Sequence, residues 1–232
     1  MIEKESNQKI ILSEALLSFS GMSLGSVFRY MFSIIMARFL GAQMLGLYSL
    51  GNAITRIAEI LALLGLDNGV LRFVSRDTED KVNVDRSIYT SLKIGLISSI
   101  LIAVLLFLSA EKIVNEILNE DSFLITVIKV FAISLPFTVL TLISSFATQA
   151  FKILKYKIFV NQILNPLTLL IAFVTSYFLL GIELSILLPT VVSSIIGLMF
   201  ILKFLTNFSS ISLSKIIDTT VDKDILKFSV PL

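Results

Sequence analysis

The chain has 232 residues, of which 56% are hydrophobic and 16% are charged, and its formal net charge is +2. Soluble domains carry about 25% charged residues, so this composition predicts an integral membrane protein. The sequence contains neither Cys nor His, which excludes disulfides, thiolate or imidazole metal sites and a catalytic histidine. The small net charge does not indicate nucleic-acid binding, and no phosphate-binding loop or other cofactor motif occurs.

Six apolar runs are long enough to cross a bilayer as helices, which requires about 20 residues each. The predicted fold class is therefore an all-α membrane protein, a bundle of six transmembrane helices. The spans lie at about 15–37, 44–66, 88–110, 123–151, 158–182 and 184–202. Pro136 predicts a kink in the fourth span, and Pro166 and Pro189 interrupt the fifth and sixth. Neighbouring helices can satisfy the freed backbone groups, so these prolines are compatible with spanning.

The distribution of basic residues predicts the orientation of the bundle. If the N-terminus is cytoplasmic, the outer segments contain only Arg38 and Lys112, and most other Lys and Arg residues lie in cytoplasmic segments. The positive-inside rule thus predicts a cytoplasmic N-terminus, six spans and a cytoplasmic C-terminus. The first residues lack the pattern of a cleaved signal, so the first span would direct insertion into the cell membrane.

We expect three segments along the chain. The six-helix transmembrane lobe covers residues 1–206, and a cytoplasmic linker rich in Ser, Asp and Lys covers 207–224. Residues 225–232 have the character of the start of a seventh helix, which is too short to cross a membrane. We therefore expect the chain to be the N-terminal part of a longer transporter or a truncated product.

Charged residues at membrane depth are the candidate functional residues, because a charge in hydrocarbon is costly. Arg29 lies on a stripe of Ser and Gly residues in the first span, and Asn52, Arg56 and Glu59 share one face of the second. Lys129 lies about two turns into the fourth span. We predict that these residues line a central cavity and bind substrate, with Arg56 meeting an anionic group and Glu59 open to a coupling ion or proton.

Structural interpretations of the same residues stay open. Arg56 and Glu59 are three residues apart and could form a self-neutralising pair. The stem of Lys129 could reach the outer surface, and Gly21 and Gly25 could serve close helix packing. We interpret the polar residues of the last two spans as packing positions. They are Asn161, Asn165, Thr168, Thr175, Ser176, Thr190, Ser193 and Gly197.

Three short stretches near the first turn resemble the polysaccharide flippases. They are Ala37-Arg38-Phe39-Leu40-Gly41-Ala42, then Gly46-Leu47-Tyr48, then Gly65-Leu66 continuing to Arg72. The ending Phe228-Ser229-Val230-Pro231-Leu232 is similar to the start of the second half of such proteins. The chain thereby resembles Wzx-like O-antigen flippases of the multidrug/oligosaccharidyl-lipid/polysaccharide exporter superfamily. The lipid II flippase branch has an acid soon after the first turn, whereas residues 43–47 contain none.

This resemblance implies two six-helix lobes around a V-shaped cavity, with this chain as the first lobe. It implies the flipping of a polyprenyl-diphosphate-linked oligosaccharide to the outer leaflet by alternating access, with Arg29 and Arg56 as candidates for holding the diphosphate. The implied partners are the lipid-linked oligosaccharide, membrane lipids and polysaccharide assembly proteins. No cofactor or metal is implied.

Three other functions stay open. A cation-coupled antiporter of drugs or small molecules would have the same architecture. A membrane enzyme acting on polyprenyl-phosphate sugars would need an acidic or metal-binding site, and the only cytoplasmic acid cluster is Asp77, Glu79, Asp80 and Asp85. These acids alternate with basic residues, which is typical of a solvated loop. The third alternative is a membrane scaffold that transports nothing.

Overall fold

The computed structural model describes residues 2–76, 80–151 and 153–207, and these residues are almost entirely helical. In chain order the helices are α1 Ile2–Leu63, α2 Leu66–Arg76, α3 Lys81–Lys112, α4 Phe123–Ala150, α5 Leu154–Ile158, α6 Asn165–Leu180 and α7 Ile182–Leu205. Two π-helical segments, Ile113–Leu118 and Phe159–Leu164, directly follow α3 and α5. Apart from Asn207, the predicted linker 207–224 and helix start 225–232 lie outside the described residues.

Gly41 divides α1 into two arms, because its backbone has φ 86° and ψ 166°. Along one continuous helix Phe32 and Tyr48 would lie about 24 Å apart, yet their ring centroids are 5.1 Å apart. The chain therefore reverses at Gly41 into a hairpin of α1a (residues 2–40) and α1b (residues 42–63). Glycine adopts this positive φ without steric cost. The very short turn predicted between the first two spans is confirmed.

The hairpin brings the number of membrane-length segments in the described residues to six. Five stretches are long and apolar enough to span, namely Glu14–Leu63, Val82–Leu118, Phe123–Ala150, Leu154–Leu180 and Ile182–Leu205. The first of these contains both arms of the hairpin, so the predicted six-span bundle is confirmed. Its orientation in the membrane stays a prediction.

The second span ends earlier than predicted, at Leu63 rather than residue 66. Leu64 and Gly65 have positive φ values of 49° and 73° and end the helix there. The next helix, α2, is amphipathic and buries Leu66 and Val70 against the bundle. Since apolar length alone defined the predicted span, Leu66 was assigned to the wrong helix.

α4 is the central helix of the lobe and packs against α1, α2, α3 and α7. Phe131, Leu135 and Ile143 on this helix are almost completely buried. Most of its hydroxyl groups donate to carbonyls of the preceding turn, as Ser145 does to Thr141 at 2.7 Å, which satisfies polar groups inside an apolar bundle. The hydroxyl of Ser144 is buried without a partner in the described structure. Gly95 of α3 lies so close to Ile143 that a Cβ there would collide with it.

Asp80, one of the acids considered for an enzymatic site, caps the N-terminus of α3. Its carboxylate accepts hydrogen bonds from the backbone N–H groups of Val82 and Asn83 at 3.1 and 3.3 Å. This contact stabilises a helix start. Asp80 therefore has a structural role, while Asp77 and Glu79 lie outside the described residues.

Candidate substrate cavity

A cavity of about 870 Å³ lies between α1a, α1b, α4, the fifth span and α7. Its volume is within the range of about 300–1,000 Å³ usual for small-molecule sites. None of the described lining residues belongs to α3. Polar side chains come from every wall, and they include Ser33, Ser49, Thr55, Ser134, Thr138, Thr141, Asn161 and Ser193.

Four of the five predicted site residues line this cavity. Arg29 comes from α1a, and Asn52, Arg56 and Glu59 come from α1b. The two arms place these residues on one cavity because the hairpin at Gly41 folds α1b back along α1a. Their functional role stays a prediction, but the structure brings them together.

Lys129, the fifth predicted residue, lies at the interface of α3 and α4 instead. Its Nζ is 2.6 Å from Oε1 of Glu111 and 5.5 Å from the ring centroid of Phe107. The carboxylate neutralises the ammonium locally, and the stem of Lys129 reaches it near the predicted outer end of the bundle. The placement of Lys129 in the cavity therefore has to be corrected.

Arg29 has a neutral partner. Its Nη2 donates a hydrogen bond to Oε1 of Gln162 at 3.1 Å, and no carboxylate among the described residues lies within 4.0 Å of it. No described carboxylate neutralises the guanidinium, and a planar guanidinium has five N–H donors. Arg29 can therefore bind an anion in the cavity without first breaking an ion pair.

Arg56 is close enough to Glu59 to attract its carboxylate, but the two side chains are not in direct contact. Within the described part of the chain neither side chain has an ion pair within 4.0 Å. Arg56 is exposed to the cavity, while Glu59 is partly buried. The cavity wall on α1b thus presents a positive and a negative group that attract each other without direct contact.

The fifth span and α7 contribute more to the cavity than the sequence indicated. Asn161, Asn165, Thr190 and Ser193 were interpreted as packing residues, yet all four line the cavity. Asn165 lines the cavity and also packs between helices, because a Cβ on Gly197 would collide with its side chain. Oδ1 of Asn165 is buried without a hydrogen-bond partner in the described structure, whereas the hydroxyl of Thr190 lies within hydrogen-bonding range of the Tyr48 hydroxyl. A buried oxygen of this kind is usually satisfied by a water or another polar group.

Gln162 was missed because a single neutral side chain gives no signal in a hydropathy pattern. It lies in the π-helical segment Phe159–Leu164, and π turns are frequent at functional sites. Pro166 has no N–H to donate to the carbonyl of Gln162, four residues earlier. That carbonyl packs so tightly against Gly25 of α1a that a Cβ there would collide with it. The packing role predicted for Gly25 is thereby confirmed, and it holds Gln162 beside Arg29.

The fold and cavity define a multi-pass membrane protein with the architecture of one transporter lobe. Residues 11–232 match the family described as polysaccharide biosynthesis protein, and the chain belongs to that family. The predicted resemblance to this group is confirmed.

A solved structure supports the assignment of the fold. The chain is similar to the outward-facing conformation of a multidrug resistance MATE family transporter of the MOP superfamily, with a TM-score of 0.80 and 17% identity. The alignment covers 96% of this chain and 50% of that transporter, so the chain spans about half its length. No curated protein matches the chain.

Proposed function

We propose that the protein acts in the flipping of a polyprenyl-diphosphate-linked oligosaccharide across the cytoplasmic membrane, by alternating access, during the synthesis of a surface polysaccharide such as O-antigen. The observation that carries this proposal is the pair of arginines, Arg29 and Arg56, which line a polar cavity and form no ion pair within 4.0 Å with a described residue. A guanidinium donates two parallel hydrogen bonds to a phosphate group, which a point charge such as an ammonium cannot do.

The chemistry of such a substrate fits the two kinds of surface that the lobe presents. The head of a lipid-linked sugar is charged and hydrated and cannot cross hydrocarbon, whereas its tail never has to leave hydrocarbon. A polar cavity inside an apolar bundle lowers the barrier for the head without covalent chemistry. Two conformations that open to opposite sides would complete the transfer.

Each lining group has a role in this proposal. Arg29 and Arg56 hold the diphosphate, while Asn52, Asn165 and Thr190 form hydrogen bonds with sugar hydroxyls. The family match of the chain supports a substrate used in polysaccharide biosynthesis. The implied partners are the lipid-linked oligosaccharide, membrane lipids and polysaccharide assembly proteins.

A cation-coupled antiporter is the second candidate function. Glu59 lines the cavity and has no ion-pair partner within 4.0 Å in the described residues, so its carboxylate is open to a cation or a drug amine. The solved transporter with the similar fold is described as a multidrug resistance protein. In the flippase, Glu59 would instead take a coupling proton or ion.

Complementation separates the two functions. The complete gene would be expressed in a strain that lacks its own polysaccharide flippase, and surface glycan would be measured together with drug resistance. We expect the gene to restore glycan and to leave drug resistance unchanged. Failure to restore glycan at normal membrane levels, together with a gain of resistance to cationic drugs, would replace the flippase by the antiporter.

A further inference from the structure

The cavity is charged at one end and neutral at the other. The hairpin end of the bundle is the end that contains Gly41. The described charged residues of the lining all lie about 18 to 27 Å from Gly41 along their helices, and they are Arg29, Arg56 and Glu59. The lining nearer the hairpin end is uncharged, and we refer to it as the neutral half of the cavity. Its residues include Phe32, Tyr48 and Ser49, together with Phe131 and Thr190 beside Tyr48.

Packed aromatic rings fix the shape of the neutral half. The ring centroid of Tyr48 lies 5.1 Å from that of Phe32, and it lies 5.4 Å from that of Phe131, which it meets edge-on. These three rings come from α1b, α1a and α4 and are almost completely buried. Phe173 packs edge-on against Phe32 at 5.4 Å. Because neighbours on α1a and α4 hold the ring of Tyr48, its hydroxyl has a defined position in the cavity wall.

The hydroxyl of Tyr48 connects the polar groups of two helices. It lies within hydrogen-bonding range of Asn52 on α1b and of Thr190 on α7, and it is close enough to Arg56 for an electrostatic interaction. A phenol hydroxyl both donates and accepts hydrogen bonds, as do the amide of Asn52 and the hydroxyl of Thr190. The neutral half therefore presents a small cluster of hydrogen-bond donors and acceptors without formal charge.

Such a cluster suits a sugar better than a phosphate. Sugar hydroxyls and acetamido groups also donate and accept hydrogen bonds, whereas ionised phosphate oxygens only accept them and bind most strongly to cationic donors. In a lipid-linked oligosaccharide the first sugar is bonded directly to the diphosphate, so the two groups require adjacent subsites. Asn52 in the cluster and Arg56 are about one helical turn apart, roughly 6 Å along α1b, which provides this adjacency.

We propose that the neutral half is the subsite for the sugar joined to the diphosphate, and that the Tyr48 hydroxyl is a specificity determinant for that sugar. The proposal rests on the proposed flippase function and adds an orientation to it. The diphosphate occupies the charged end of the cavity, and the sugar points toward the hairpin end. If Tyr48 only tied α1b to α7, its hydroxyl would affect the binding of every ligand alike.

Binding measurements with the purified complete protein in nanodiscs test this subsite. One probe is polyprenyl diphosphate. The other carries one sugar on its diphosphate, either N-acetylglucosamine or galactose, whichever binds more tightly. Tyr48→Phe removes the hydroxyl and keeps the aromatic ring. We expect it to raise the Kd of the sugar-bearing probe about three- to tenfold, which corresponds to one lost hydrogen bond, and to leave the Kd of polyprenyl diphosphate unchanged.

Three further variants sharpen the test. Tyr177→Phe is the matched control, because the ring of Tyr177 stacks on Phe39 outside the described lining of the cavity, and it should change neither Kd. Thr190→Val removes the neighbouring hydroxyl and keeps the branched shape, so it should also raise only the Kd of the sugar-bearing probe. Arg56→Ala should raise the Kd of both probes, because both carry the diphosphate.

Three results would overturn the proposal. They are sugar-bearing probes that bind no more tightly than polyprenyl diphosphate, an unchanged Kd of the sugar-bearing probe in Tyr48→Phe, and an equal rise of both Kd values in that variant. Failure of the flippase function gives a different result. Selective weakening of the sugar-bearing probe in a protein that does not restore glycan would support the sugar subsite and refute the transport step, whereas binding of neither probe would refute both.

Discussion

Arg29 and Lys129 each place a cation within a membrane-length helix, but their surroundings differ. Lys129 lies 2.6 Å from the carboxylate of Glu111 at the interface of α3 and α4. Arg29 lies in the cavity and bonds to the neutral amide of Gln162 at 3.1 Å. One cation is neutralised within the protein, and the other is not neutralised by any described residue.

This difference separates a structural cation from a candidate ligand-binding one. A local ion pair lowers the free energy of placing a charge in the membrane and needs no further partner. An uncompensated guanidinium depends on a polar cavity, on water and on an anionic ligand for its stabilisation. The protein thus uses the side of the bundle without α3 for its charged cavity and the α3–α4 side for packing.

The largest expected effect of a single substitution within this comparison is that of Arg29→Ala. We expect glycan export to fall on the order of tenfold to a hundredfold, since a hydrogen bond to a charged group contributes about 1.5–3 kcal/mol. Surface glycan in the complemented strain measures this. Arg38→Ala, which removes an exposed arginine outside the cavity, is the matched control. Parental export by Arg29→Ala at normal membrane levels would contradict the assignment.

Gln162→Glu tests the charge rather than the contact. It would place a carboxylate beside Arg29 and give the cavity the kind of ion pair that Lys129 already has. We expect export to fall about tenfold, because the anionic ligand must then displace an internal anion. Gln162→Met keeps the length without the charge and should retain most export. Equal export by both variants would show that the free charge of Arg29 is not required.

Gly25→Ala tests the packing that holds Gln162 beside Arg29. The added methyl group would collide with the carbonyl of Gln162, so we expect a loss of about 1–3 kcal/mol of stability. Thermal unfolding in detergent measures this as a lower Tm. Gly46→Ala is the control, because open space surrounds that position. An unchanged Tm for Gly25→Ala would mean that α1a is not tightly held at this point.

The smallest effect is expected for Lys129→Met. The side chain of its partner Glu111 is 64% exposed, and exposed ion pairs contribute about 0–1 kcal/mol. Export should equal that of the parent, and Tm should change only slightly. A loss of export as large as that of Arg29→Ala would mean that the comparison of the two cations is misleading.

The bundle was predictable from sequence because hydropathy and helical periodicity are local properties. Runs of apolar residues indicated six spans, and periodicity grouped Asn52, Arg56 and Glu59 on the cavity face of α1b. The hairpin at Gly41 was also predictable, since the chain has only a few residues between two membrane-length runs. These features need no knowledge of which helices are neighbours.

Pairings between distant residues were not predictable in the same way. The contact of Arg29 with Gln162 joins the first and fifth spans, and no local pattern marks it. Lys129 finds Glu111 on a different helix, which its position in the fourth span alone could not indicate. Asn165 and Thr190 were interpreted as packing residues because small polar side chains serve packing and binding equally well.

The most direct test of the central claim is flipping by the purified complete protein in proteoliposomes. A fluorescent polyprenyl-diphosphate oligosaccharide would be followed from one leaflet to the other with the parent, Arg56→Lys and Arg56→Ala. We predict transfer by the parent, slower transfer by Arg56→Lys and only the rate of protein-free vesicles for Arg56→Ala. Transfer by Arg56→Ala at the parental rate would show that the cavity charge does not hold the diphosphate.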